Sequence, residues 1–119
     1  MMQIRVENQG NIAIIHLNGK LFLESLGVVL TEWEEIIARH PKVIAINCSK
    51  LVSIDSSSIG TLVRFFNETS SKKIELIFFD LNPSIRKLFY TIHLEKFFPV
   101  MSGKKFETEY LKKLCTTAS

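Results

Sequence analysis

Cysteine is scarce in this chain. Cys48 and Cys115 are the only two, far apart and without a second ligand at metal spacing, so neither a disulfide framework nor a metal site is expected, and both read as reduced thiols. No apolar run approaches the ~20 residues of a membrane-spanning helix. The opening Met1-Met2-Gln3-Ile4-Arg5-Val6-Glu7 alternates like a strand and lacks the apolar core and cleavage site of a signal peptide. A cytoplasmic location without membrane contact is the expectation. A glycine-rich phosphate loop is missing, which argues against nucleotide binding, and so is the Gly-x-Ser-x-Gly of many serine hydrolases. His16, His40 and His93 carry no local triad signature. No catalytic residue, metal ligand or cofactor is therefore assigned, and the chain is expected not to be an enzyme. Internal repeats, low-complexity segments and a domain linker are also missing.

Neither sign of charge dominates. Fifteen Lys and Arg against 12 Asp and Glu give a net charge of +3. The lysines fall in scattered pairs, Lys72-Lys73, Lys104-Lys105 and Lys112-Lys113, without interleaved aromatics, so they read as solvated surface and no nucleic-acid partner is expected. The weak positive field favours an acidic partner or a nucleotide phosphate. At 119 residues, 46% hydrophobic and 23% charged, the chain suits one domain over 1–119, large enough to bury its own core.

Within that domain the most informative stretch is Leu51-Val52-Ser53-Ile54-Asp55-Ser56-Ser57-Ser58-Ile59-Gly60-Thr61-Leu62-Val63-Arg64-Phe65-Phe66. An apolar strand passes through a hydroxyl-rich turn into a helix. Ile59, Leu62, Val63 and Phe66 recur at helical spacing and predict the buried face. The helix starts just after Asp55, where Asp and Ser side chains satisfy the free N–H groups and the helix dipole favours negative charge. Phe65 falls on another side with Ser58 and Thr61, and reads either as second-layer core or as an exposed anchor.

The remaining chain alternates strands and helices. Gln3 to Glu7 and Asn11 to Leu17 predict a hairpin around Asn8-Gln9-Gly10, with His16 a strand-surface residue. Leu26, Val29, Leu30, Trp33 and Ile37 mark a helix that His40-Pro41 stops. Val43 to Ile46 reads as a central strand covered on both faces, and Asn47 as a hydrogen-bond partner of loop backbone. Ile74 to Phe79 is a further buried strand. Asn82-Pro83 opens a helix with Ile85, Leu88, Phe89 and Ile92 on its inner face, closing at His93. Phe97 to Val100 predicts a short edge strand, and Ser102 caps a last helix bearing Phe106, Tyr110, Leu111 and Leu114. These elements define an α/β fold with a mixed β-sheet covered by amphipathic helices.

The run Asp55-Ser56-Ser57-Ser58-Ile59-Gly60, with Asn47 before it and Asn82-Pro83-Ser84-Ile85-Arg86-Lys87-Leu88-Phe89 after it, resembles the STAS domain of bacterial anti-sigma factor antagonists over nearly the whole chain. The family motif reads Asp-Ser-Ser/Thr-Gly-hydrophobic-Gly, and the resemblance implies phosphorylation of its first serine, here Ser56, by the partner kinase. Ser58 stands where the family usually has glycine, His93 where it usually has a glycine in the left-handed conformation, and Phe22, which reads as core or as contact surface, replaces an acidic residue. The implied function is a phosphorylation-switched module that binds an anti-sigma factor serine kinase when unphosphorylated and so frees a sigma factor to regulate transcription. A phosphatase acting on the phosphoserine is the second partner implied. The partner surface is expected to comprise Asp55, Ser56, Ser57, Ser58, Thr61 and Phe65. The alternative is a STAS scaffold or transporter-associated module that is never phosphorylated.

Overall fold

In the computed structural model, which describes residues 2–111, the hairpin closes over Gly10 and Asn11, with Gln9 opposite Ile12 and Gly10 at a φ of 61° that costs glycine nothing. Its arms are β1 (Gln3–Gln9) and β2 (Ile12–Leu21), followed by α1 (Leu26–Ala38), β3 (Val43–Ile54), α2 (Ser56–Ser71) and β4 (Glu75–Phe79). Then come α3 (Pro83–Thr91), β5 (Val100–Met101) and the short α4 (Gly103–Phe106), which runs on into a π turn over Glu107–Leu111. The sheet order is β1-β2-β3-β4-β5, antiparallel in the hairpin and parallel elsewhere. That is the expected mixed sheet, because parallel neighbours require a crossover and the intervening helices supply it. Among the described residues no helix is long and apolar enough to cross a membrane.

The two faces of the sheet are covered unequally. Ile15, Leu17, Ile44, Ile46, Leu76 and Phe78 face α1, α2 and α3 and form the main core with Trp33, Leu62, Phe65, Phe89 and Phe98. On the other face a smaller cluster of Ile12, Ile14, Ala45 and Phe79 packs under Phe106, whose ring stacks on Phe79 at 4.5 Å. Strand β3 is thus covered on both sides over Val43 to Ile46, as its unbroken apolar run predicts. It continues, however, to Ile54 rather than ending in a loop, because β2 pairs with it as far as Leu21 opposite Ile54.

Several local expectations hold. Asn82 caps α3 by accepting the Ile85 N–H at 2.9 Å, with Pro83 first in the helix. His93 takes the left-handed conformation at φ 62°, and Ser102 accepts the Lys105 N–H. Others do not. Phe97 is half exposed and Phe98 is core, while the edge strand is only Val100–Met101, after Pro99. Ile92, expected on the inner face of α3, lies beyond the helix end and is 38% exposed. Phe22 is only half-buried, with the Lys20 ammonium 5.9 Å from its ring centre. Leu114, Cys115 and Lys112-Lys113 lie outside the described residues.

The largest departure is the rotation of α2. Its most buried residues are Ser58, Leu62, Phe65 and Thr69, whereas Ile59, Val63 and Phe66 are only partly buried. Counting apolar residues misplaces the face because two hydroxyls go inside. Each is satisfied by a carbonyl, Ser58 by Leu21 and Thr69 by Phe65, which removes the cost of burying it. Phe65 stacks on Trp33 at 3.9 Å between ring centres and 10° between planes, and the Trp33 indole N–H donates to Glu68 at 2.7 Å. Of its two readings, Phe65 takes the core one.

Truncating Phe65 to alanine should therefore cost about 3 to 5 kcal/mol in urea unfolding, as for other large-to-small core changes. A loss below about 1 kcal/mol, within the usual range of surface changes, would contradict the burial.

Candidate functional site at the start of the second helix

Asp55 leaves β3 in extended geometry, with φ −97° and ψ 172°, and caps α2. One carboxylate oxygen accepts the Ser58 N–H at 3.0 Å and lies 2.8 Å from the Ser58 hydroxyl. The other accepts the Leu23 N–H at 3.0 Å. The Asp55 N–H in turn donates to the Leu21 carbonyl, which also receives the Ser58 hydroxyl at 2.7 Å. Partial burial pushes the Asp55 carboxyl up, but the bonds from Ser58 and Leu23 outweigh it and hold the group below the usual aspartate range. The cap is therefore an ionised carboxylate at the positive end of a helix dipole.

The three serines separate by direction. Ser56 and Ser57 are exposed at the first two helical positions, whereas Ser58 has no exposed surface. Thr61 is half-buried, its hydroxyl 3.4 Å from the Ser57 carbonyl. Of the expected partner surface, Asp55, Ser56, Ser57 and Thr61 are thus brought together on one accessible patch. Ser58 and Phe65 are not: the first turns inward to Leu21 and Asp55, and the second stacks on Trp33 beneath the helix. Neither presents a side chain to a partner in this conformation.

Two exposed apolar residues adjoin Asp55, one through a hydrogen bond and one three residues before it in β3. Leu23, whose N–H binds Asp55, is 64% exposed, and Val52 is 57% exposed. Val52 is the extra residue of a bulge, since Gly19 pairs with Leu51 while Lys20 pairs with Ser53. Nothing in the local sequence signals that bulge, which depends on the register β2 imposes. Asn82 adds a further tie by donating to the Leu51 carbonyl at 2.8 Å, fixing the start of α3 against the end of β3.

The histidines have other company. His16 bonds Glu7 and Asn47, and His93 lies 3.8 Å from Glu95. Asn47 accepts the Ser49 N–H, the backbone role expected of it, and in addition donates to His16. Among the described residues no three His, Cys, Asp or Glu side chains converge as a metal site. Cys48 is fully buried, and burial pushes its thiol far up.

The end of β3 thus carries an ionised cap, two outward hydroxyls and exposed apolar neighbours at one edge of the helix layer. A model of the STAS domain matches residues 3–109, and the chain belongs to that family. Among solved structures, an anti-sigma factor antagonist from Mycobacterium paratuberculosis is 14% identical, covers 98% of this chain with 93% of its own, and has a TM-score of 0.77. The Bacillus cell fate determinant SpoIIAA in its phosphorylated form is 19% identical over 87% of this chain and 95% of its own, with a TM-score of 0.67. A sulfate transporter family protein from Wolinella succinogenes is 16% identical over 92% of each chain, with a TM-score of 0.76. A comparison with curated proteins finds no match.

Ser58 is an ordinary helical residue here, outside the left-handed region, so the glycine usual in the family is not needed to relieve strain. Ser58→Gly should lose about 1 to 2 kcal/mol, from helix entropy and a lost buried hydrogen bond together. A higher melting temperature would instead mean that the turn prefers glycine. The cap predicts a pH effect as well. Because the folded state lowers the Asp55 pKa, its charge stabilises the fold above the ordinary value of 3.8 and ceases to as pH falls through the folded value. The stability difference between wild type and Asp55→Asn should be largest near neutral pH and shrink in acid. A difference independent of pH would contradict the ionised cap.

Proposed function

We propose that the chain is a phosphorylation-switched anti-sigma factor antagonist in the cytoplasm. Unphosphorylated, it binds an anti-sigma factor serine kinase and so frees a sigma factor for transcription. Phosphorylated on Ser56 by that kinase, it lets go until a phosphatase restores it. The observation that carries this reading is the sorting of the serines: Ser56 is exposed beside an ionised Asp55, while Ser58 is locked inside. The structural likeness to anti-sigma factor antagonists supports it. The chain performs no catalytic step in this reading; chemistry is done to it.

The physical effect of the phosphate follows from its place. It adds roughly −1.5 to −2 charges and three acceptor oxygens, which the helix N-terminus accommodates within the chain. At a desolvated contact the same charge is repelled by carboxylates and cannot be buried against apolar groups. Asp55 supplies a carboxylate and Leu23 and Val52 the apolar rim. Each 1.4 kcal/mol of that penalty weakens binding about tenfold. The partner face is Asp55, Ser56, Ser57 and Thr61 with Leu23 and Val52 as anchors, in place of Ser58 and Phe65. A second reading, a STAS scaffold or transporter-associated module that is never phosphorylated, is favoured by Ser58 standing where the family motif has glycine and by the likeness to the sulfate transporter family protein.

Incubation with the cognate kinase and ATP, followed by peptide mapping, should place phosphate on Ser56 and none on Ser58. Ser56→Ala should bind the kinase constitutively and Ser56→Asp poorly. Phosphate on Ser57 alone would move the assignment, and no phosphate at all would favour the scaffold reading.

A further inference from the structure

The smaller core covers only one end of the second sheet face, where Ile12, Ile14, Ala45 and Phe79 lie under Phe106. At the other end two cross-strand rows have no apolar cover, their outer residues Gln3, Arg5, Asn18 and Lys50 exposed and His16 and Asn47 half-buried. Gln3 pairs with Asn18 and Asn18 with Lys50; beside them Arg5 pairs with His16 and His16 with Asn47. These rows floor a cleft of ≈ 630 Å³, within the range of small-molecule sites. A bare sheet end is ordinarily polar simply because water covers it. Three features set this one apart.

The first is concavity, because a solvated face needs none. The second is a bulge. His16 pairs with Asn47 and Asn18 with Lys50, so Leu17 alone stands opposite both Cys48 and Ser49. Bulges re-aim side chains and gather beside functional sites. Here the Ser49 N–H is freed from the ladder and donates to the Asn47 side-chain oxygen at 3.0 Å. That bond fixes the amide, so its nitrogen donates to His16 Nδ1 at 2.9 Å and His16 Nε2–H donates to Glu7 at 3.0 Å. The floor is therefore a directed chain of hydrogen bonds rather than a set of loose surface groups.

The third feature is charge. No Asp or Glu lines the cleft. Glu7, next to it, is engaged by Gln9 and His16, and its contact with Arg5 is a long 3.8 Å. Lys50 pairs with no carboxylate among the described residues. Arg5 and Lys50 lie on strands two apart, roughly 10 Å across the sheet, with the exposed amides of Gln3 and Asn18 beside them. We propose that this cleft binds a small organic dianion, a dicarboxylate or a phosphate monoester, between Arg5 and Lys50, with Gln3 and Asn18 donating to its oxygens. The site lies on the opposite sheet face from the main core and needs no phosphorylation of Ser56.

The test is titration of the full ¹⁵N-labelled chain with succinate and, separately, with inorganic phosphate, at ionic strength matched with sodium chloride. At least one should give saturable amide shifts confined to Asn18, Ser49, Lys50 and their neighbours, and which one saturates distinguishes carboxylate from phosphate recognition. Arg5→Gln and Lys50→Gln should each weaken binding about tenfold, the effect of losing one charge-assisted contact. Both residues are exposed, so unchanged melting temperatures will separate lost contact from lost fold; Lys50→Glu, also at an exposed position, should abolish binding outright. Failure of both probes to saturate, shifts spread equally over Lys72, Lys73, Lys104 and Lys105, or undiminished affinity in the variants would each overturn the proposal.

Discussion

The Asp55 carboxylate holds three segments at once. It takes the Ser58 N–H on one oxygen, with the Ser58 hydroxyl 2.8 Å away, and the Leu23 N–H on the other, while the Asp55 N–H donates to the Leu21 carbonyl. The end of β2, the end of β3 and the start of α2 are therefore set by one residue. Without it the Ser58 N–H, which has no intrahelical acceptor, would lose its side-chain partner, and the segment after β2 would lose its tie to the helix. The direction of each serine follows. Once Ser58 is drawn to Leu21, helical geometry turns Ser56 and Ser57 outward.

The main core keeps that arrangement rigid. Trp33 stacks on Phe65 and bonds Glu68, clamping α1 to α2, while Phe78, Phe89 and Phe98 lock α3 and the segment before β5 against the sheet. A site displayed on such packed elements loses little entropy when a partner orders it. Strand β3 links both regions: Asn47, Ser49 and Lys50 floor the polar cleft, Val52 bulges out, and Asp55 caps the next helix. Its two irregularities are what give one strand these separate tasks.

Features encoded within a turn or two were legible in the sequence. The helix start after Asp55, the Asn82-Pro83 opening, the left-handed His93 and the Ser102 cap each depend on local backbone chemistry, and each is where the residues predict. What depends on distant partners was not. Ser58 goes inside only because the Leu21 carbonyl, 37 residues away, waits for its hydroxyl, so apolar counting rotated α2 and left Phe65 undecided. The length of β3 and the exposure of Val52 come from pairing with β2, which no window on β3 contains. For the candidate site the consequence is specific: Asp55, Ser56, Ser57 and Thr61 share an accessible patch as the sequence suggests, Ser58 and Phe65 turn inward instead, and the exposure of Leu23 and Val52 was not foreseen.

Native-state amide hydrogen exchange measures the central claim directly, since the Leu23 and Ser58 amides both depend on the Asp55 carboxylate. Asp55→Ala should strip protection from Leu23 and Ser58 together while Ile46 and Phe78, buried in the main core, keep theirs. If Leu23 stays protected in Asp55→Ala, or loses protection without Ser58, the two segments are not held by one carboxylate and the account of the turn is wrong.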